Sequence, residues 1–241
     1  MNKVELIPCS NADELAQVAA RTWLEEIATA NAAGQTLFVA LSGGRITLKF
    51  FVAVIGLSRA RNVSLRGLDF FWADERCVPP ADAESNFGAA QEMFFRPLEI
   101  TAGKIHRICG ELAPERAAEL ATTELKRLVP CNAAGQPALD LIFLGMGEDG
   151  HVASLFPAGL EGDGTDALVY RAITNSPKPP PNRVTLGYAA IAAARQVWVL
   201  ASGSGKEAAL RASLVPEGTT PLARVIQLRS QTKIFTDIHG G

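Results

Sequence analysis

The chain has 241 residues, 48% of them hydrophobic and 20% charged, with a formal net charge of -2. That mix suits a soluble globular protein with a sizeable core. It carries no basic stripe of the kind nucleic acid requires, and no apolar run near the ~20 residues of a membrane span.

The N-terminal Met1-Asn2-Lys3-Val4-Glu5 lacks the apolar stretch of a signal peptide, so a cytoplasmic location is expected. Cys9, Cys77, Cys109 and Cys131 are scattered without a CxxC pair, which fits free thiols in a reducing compartment better than disulfides or zinc ligands. Asn11-Ala12-Asp13-Glu14 reads as a helix cap, with Glu14 at the capping-box position. Leu15, Val18, Ala19, Thr22, Trp23 and Ile27 follow at helical spacing, and Gly34 ends the helix. Thr36 to Leu41 predicts a strand, Ser42-Gly43-Gly44 a turn, and Ile46 to Ile55 a helix. Leu68 to Ala73 predicts a second strand, closed by the polar turn Asp74-Glu75-Arg76. A loop runs from Pro79-Pro80 to about Asn86, then a helix from Phe87 to Phe95. Pro114 to Leu128 is a helix with proline at a tolerated first-turn position.

Ala138 to Leu144 predicts a third main strand, followed by Val169 to Ile173, Arg183 to Leu186 and Gln196 to Ala201. Ser204 to Leu214 reads as helix and Lys233 to Phe235 as a last short strand. Ser176 to Asn182, with Pro177, Pro179, Pro180 and Pro181, is either a linker or a stiff loop inside one domain; the chain is read as one domain over 1–241. Alternating strands and helices imply a layered α/β fold with a largely parallel sheet.

Four polar turns follow strand ends: Ser42-Gly43-Gly44-Arg45, Asp74-Glu75-Arg76, Gly145 to His151, and Gly203-Ser204-Gly205-Lys206. If their strands are parallel neighbours, these turns converge beyond the carboxyl ends, where open α/β sheets bind ligands. Ser42-Gly43-Gly44 is either a tight turn or an anion site built on helix N–H groups. Gly203-Ser204-Gly205-Lys206 is not a nucleotide P-loop, because Leu200 and Glu207 stand where that motif needs a glycine and a hydroxyl. Lys206 there either faces a phosphate or is solvated.

Gly145-x-Gly147-x-x-Gly150 spells a dinucleotide fingerprint, but Pro157 comes too soon for a crossover helix, and a glycine-rich loop, Gly159 to Gly164, follows instead of a strand ending in an acid. His151, one of three histidines, sits on that glycine turn and can move a proton near neutral pH. Asp149, two residues earlier, is placed to orient it. His106 and His239 read as ordinary structural histidines. Arg76 is either a surface partner of Glu75 or a clamp for a phosphate or a carbonyl oxygen. No HxH, HExxH or clustered Cys/His spacing argues for a metal, and no Gly-x-Ser-x-Gly elbow argues for a serine esterase.

Asp74-Glu75-Arg76-Cys77-Val78-Pro79 with Ser85-Asn86-Phe87-Gly88, and Leu144 to His151 with Ser154-Leu155-Phe156-Pro157, resemble the two signatures of 6-phosphogluconolactonases. Leu41-Ser42-Gly43-Gly44, Arg183-Val184-Thr185-Leu186 and Gly203 to Lys206 are similar to the remaining blocks, in the same order. The resemblance implies a three-layer α/β/α sandwich around a mostly parallel, modified Rossmann-like sheet. It implies hydrolysis of 6-phospho-D-glucono-1,5-lactone to 6-phosphogluconate by a cytoplasmic enzyme of the oxidative pentose phosphate pathway. No metal or organic cofactor, nucleic acid or membrane partner is implied, and the chain is expected to be a monomer or weak homo-oligomer.

By the same resemblance His151 is the base, Arg76 stabilises negative charge, and Asp74 and Asp149 orient. Ser42, Gly43, Gly44, Lys206 and Arg183 hold the phosphate. The related glucosamine-6-phosphate isomerases give the alternative activity. They follow the histidine with a Phe-Asn-Glu-Pro type sequence and lack the arginine after Asp-Glu, so Ser154 to Pro157 and Arg76 favour the lactonase. A sugar-phosphate sensor on the same scaffold is a further alternative, lowered by the presence of both His151 and Arg76. One departure stands out: the family's Ser-Gly-Gly-Ser-Thr-Pro is here Ser42-Gly43-Gly44-Arg45-Ile46-Thr47. Arg45 either replaces the missing hydroxyl as a phosphate ligand or points to solvent.

Overall fold

Short apolar runs become strands and amphipathic runs become helices, in close alternation. The computed structural model describes residues 3–157 and 167–238. The elements run β1 (Val4–Pro8), α1 (Ala12–Ala32), β2 (Leu37–Leu41), α2 (Arg45–Arg61), β3 (Leu68–Trp72), β4 (Asp74–Arg76) and α3 (Asn86–Ala90). They continue with α4 (Pro114–Leu128), β5 (Leu141–Gly145), β6 (Tyr170–Ile173), β7 (Arg183–Leu186), α5 (Tyr188–Ala193), β8 (Gln196–Ala201), α6 (Glu207–Leu214), α7 (Pro221–Leu228) and β9 (Thr232–Thr236).

The main sheet has the order β1-β9-β8-β5-β2-β3, and every pairing in it is parallel. Leu141 to Leu144 are all buried, as is all of β3. Successive strand residues point to opposite faces, so both faces of the sheet are covered and the architecture is three-layered. Trp23 of α1 fills the space over β5, with its ring edge-on to Phe143 at 5.0 Å. Among the described residues no helix is long and apolar enough to cross a membrane.

Strand order places the ligand crevice. From β2 the chain moves outward to β3; from β5 it moves the opposite way, to β8 and then β9. The carboxyl ends of β2 and β5 therefore flank the point where the winding reverses, the usual crevice of open α/β sheets.

Several expectations need correction. Asp74-Glu75-Arg76 is a strand, not a turn: it pairs antiparallel with β7, which pairs with β6, in a second small sheet. β1 has no counterpart in the sequence reading, because its exposed edge residues break any two-residue alternation. α5 and α7 were likewise not expected. α2 runs on to Arg61 and stops at Asn62, which takes up left-handed φ 53°. The segment from Phe87 divides: α3 passes into a π-turn at Gln91–Phe95. β5 starts at Leu141, because the Ala138 N–H donates instead to the Pro130 carbonyl at 2.9 Å.

Glu14 misses the capping-box partner by one residue. Asn11 caps α1 through its side chain, and Glu14 reaches back to the Ser10 N–H at 2.6 Å. Residues 176–182 behave as the stiff loop. The Ser176 N–H donates to the Pro181 carbonyl at 2.9 Å, and Arg183 binds three carbonyls of the same loop. The expected loop from Gly159 to Gly164 and His239 lie outside the described residues.

Candidate active site

Ser42, the residue after β2, is buried, and its hydroxyl donates to the Phe143 carbonyl at 2.8 Å. The side chain thus ties β2 to β5 and has spent its proton. A Cβ on Gly43 would stand 1.9 Å from Asn86 Oδ1, so only glycine lets that amide approach. Asn86 Nδ2 in turn donates to the Asp74 carbonyl at 2.9 Å. Gly44 caps α2 without a side-chain hydrogen bond, which leaves the first amides of α2 for a ligand. Arg45 opens that helix, is exposed, and makes no side-chain hydrogen bond to another of the described residues.

β4 is fixed by Glu75. Its buried carboxylate accepts from the N–H groups of Arg76 at 2.7 Å, Asn86 at 2.8 Å and Phe87 at 2.7 Å, and from the Ser85 hydroxyl at 3.1 Å. Burial still raises this carboxyl above its usual range, against those three amides. The β4–β7 register sets Arg76 directly opposite Arg183. Like charges facing across a ladder repel, so the pair favours an anion between or beside them. Arg76 gives Nη1 to the Glu84 carbonyl at 2.8 Å, while its buried Nε has no partner.

Arg183 is committed more deeply. Nε donates to the Pro180 carbonyl at 3.0 Å, and Nη2 to those of Lys178 at 3.0 Å and Pro179 at 2.9 Å. Nη1 donates to Ser154 Oγ at 3.3 Å. Of the five N–H bonds of a guanidinium, one on Nη1 has no partner among the described residues. Burial, then the Arg76 charge, lowers its pKa.

β5 delivers the histidine. After Gly145 the chain closes a tight turn, with the Gly147 N–H donating to the His151 carbonyl at 2.9 Å. A Cβ on Gly147 would lie 2.0 Å from the imidazole, so glycine makes the seat of the ring. Nδ1 of His151 bonds to the Asp149 carboxylate, which also accepts the His151 N–H at 3.2 Å. A carboxylate only accepts, so Nδ1 carries the proton and Nε2 is left as the basic nitrogen. Burial lowers the His151 pKa, opposed by Asp149 and assisted by the charge of Lys178. The imidazole is therefore neutral near pH 7. Burial opposes ionisation of Asp149, yet its bonds to His151 hold its pKa below the ordinary value.

β8 delivers Lys206, the residue preceding α6. Burial lowers its pKa, and the nearby charge of Arg45 adds to the effect. His106, by contrast, sits away from these groups, between Asp69 at 2.9 Å and Glu124 at 3.1 Å, in the structural role expected of it.

The three turns and β4 meet at one cavity of about 400 Å³. Ser42, Gly43, Gly44 and Arg45 line one side; Asp74, Arg76 and Arg183 another; His151 and Lys206 complete it. Asp149 is not on the wall but stands behind His151. Asn86 and Lys49 also line the cavity, and neither was assigned a role from sequence. Asn86 lies within a quoted motif, which was the available signal; nothing local marks Lys49.

The model of the family described as glucosamine-6-phosphate isomerases/6-phosphogluconolactonase matches residues 10–235. The chain belongs to this family. It is 34% identical over 220 residues to a 6-phosphogluconolactonase of Streptomyces coelicolor, covering 89% of this chain and 84% of that protein. It is 35% identical to the chloroplastic 6-phosphogluconolactonase 3 of Arabidopsis thaliana over 83% of its own length, and spans 62% of that longer protein. Among solved structures, the 6-phosphogluconolactonase of Trypanosoma brucei superposes with a TM-score of 0.81 at 26% identity, covering 98% of this chain and 96% of the other.

Proposed function

We propose that this protein hydrolyses 6-phospho-D-glucono-1,5-lactone to 6-phosphogluconate, with residues 1–241 acting as one catalytic unit. The observation that carries the reading is an imidazole oriented by a carboxylate in the same cavity as Arg45, Arg76, Arg183 and Lys206. A base whose ring makes no hydrogen bond to a serine or cysteine among the described residues suits activation of water. A cation-lined wall suits a phosphorylated substrate.

In this reading Nε2 of His151 takes a proton from water as the oxygen attacks the lactone carbonyl. The ring C–O bond then breaks, and the imidazolium returns the proton to the departing ring oxygen. Arg76 stabilises the charge on the carbonyl oxygen, because it lines the cavity and its Nη2 makes no hydrogen bond among the described residues. The α2 amides, Arg45 and Lys206 hold the phosphate and so fix the lactone for attack. Arg183 gives the site its single free N–H and otherwise anchors the proline loop. The enzyme is expected in the cytosol, as a monomer or weak homo-oligomer.

His151→Ala should lose at least about a hundredfold in kcat, as expected for removal of a general base. It should still bind 6-phosphogluconate. The check is a timed assay with fresh lactone, corrected for spontaneous opening, beside calorimetric binding of the acid. Near-normal turnover in the variant would remove His151 as the base. Ammonia release from glucosamine 6-phosphate would instead favour the isomerase chemistry.

A further inference from the structure

Ser154 is fully buried at 0% exposure, between two groups of the cavity wall. Its Oγ donates to Asp74 Oδ2 at 2.7 Å and accepts from Arg183 Nη1 at 3.3 Å. Its own N–H donates to Thr185 Oγ1 at 3.2 Å. The direction of this link is fixed: a carboxylate only accepts, a guanidinium only donates, and the hydroxyl has one hydrogen. The backbone leading to it is held in an unfavourable shape. Ala153 has φ 49°, and Val152 forms bridges with both Met146 and Leu155. A non-glycine residue stays left-handed only when its surroundings insist on it.

Asp74 lines the cavity, and its Oδ1 has no partner among the described residues. Arg183, bonded to the same Ser154 hydroxyl, keeps one N–H without a partner among the described residues. An accepting oxygen and a donating nitrogen set side by side match a hydroxyl group, which can donate to one and accept from the other.

We propose that Ser154 is a positioning residue for substrate selection. By bridging Asp74 and Arg183 it sets the Asp74 carboxylate to accept a hydrogen bond from one ring hydroxyl of the sugar lactone. The proposal rests on the lactonase reading above. It adds a hydroxyl-recognition point to the cavity wall, and assigns its order to a side chain that touches no substrate.

The test compares 6-phosphogluconolactone with its single ring-deoxy analogues, in wild type, Ser154→Ala, Ser154→Cys, Asp74→Asn and the Ser154→Ala/Asp74→Asn double variant. Wild type should disfavour one deoxy analogue by roughly ten- to hundredfold in kcat/KM, the size of one hydrogen bond to a charged group. Ser154→Ala should lower the intact lactone towards that analogue while leaving the analogue itself nearly unchanged. Ser154→Cys should behave like alanine, because a thiol fills the space but donates weakly. On the Asp74→Asn background, removing the hydroxyl should cost little more.

Equal losses on every analogue, full rescue by cysteine, or losses that multiply in the double variant would overturn the proposal. If Ser154→Ala does not fold, the cysteine variant and Asp74→Asn decide it. Absence of lactone turnover in wild type would sink the lactonase reading instead. Ser154 would then be judged on binding of 6-phosphogluconate and its deoxy analogues, where the same selectivity is expected.

Discussion

Burial and Asp149 pull His151 in opposite directions, and burial prevails. A base must be neutral to act, so activity should fall as pH drops through the lowered histidine pKa. The acid limb of kcat/KM is therefore expected below pH ~6.5, the ordinary histidine value. Asp149→Asn removes the group that raises this pKa. The acid limb should move to still lower pH while kcat falls by roughly tenfold or more, because the ring loses its fixed tautomer. A pH–rate profile of both proteins checks this, and an unmoved limb would separate Asp149 from His151. That Asp149 is near enough to orient His151 was legible in sequence, because it stands two residues away on the same glycine turn; that its carboxylate meets Nδ1 was not, since contact depends on how the turn closes. The commitment of Arg183 to the proline loop was not legible, since its carbonyl partners depend on how residues 176–182 fold back.

At the level of elements, Glu75 holds β4 against the start of α3 through the Asn86 and Phe87 amides and the Ser85 hydroxyl, and also accepts from the Arg76 amide of its own strand. Glu75→Ala strands those buried donors. It should destabilise the fold by roughly 3 kcal/mol, read from urea unfolding, and lower kcat by displacing Arg76 and Asn86. A stability change under about 0.5 kcal/mol, the range of ordinary surface substitutions, would contradict this network. The long strands and helices were readable from periodicity and punctuation: α4, β7 and β8 fall on their expected residues. β4 was not, because three charged residues in a row carry no strand pattern. Its pairing with β7 is a tertiary event, and that pairing brings Arg76 opposite Arg183. α7 escaped for a different reason. Thr220 caps it and Pro221 opens it, yet it lasts only to Leu228, close to one strand's length of apolar residues.

Across the whole molecule, convergence of the four polar segments followed from one condition, that the strands they follow be parallel neighbours. β8, β5, β2 and β3 meet that condition in order. Arg45, Arg76, Arg183 and Lys206 gather at one cavity, and a bound phosphate would relieve their mutual repulsion. A phosphosugar acid at about a hundred times its Kd should stabilise the fold by about 2.7 kcal/mol, raising Tm by roughly 5–10 °C. His151→Ala should keep most of that shift and Lys206→Ala should lose much of it, measured by thermal unfolding with and without 6-phosphogluconate. Equal shifts in the two variants would count against Lys206 as a phosphate group.

β1 lies beside β9, with Val4 opposite Thr232. During synthesis the first of these strands leaves the ribosome long before its only neighbour exists. For that interval its backbone donors and acceptors are open to any passing strand, a hazard for a growing chain. Its make-up limits the danger: it spans five residues, carries Glu5 on an exposed position, and ends at Pro8, which has no N–H to offer. Closing this edge is expected to be the late step of folding, after the cavity-bearing strands have met. Pulse-labelled hydrogen exchange during refolding would show it as protection of Leu6 and Ile7 lagging behind that of Val39 and Ile142.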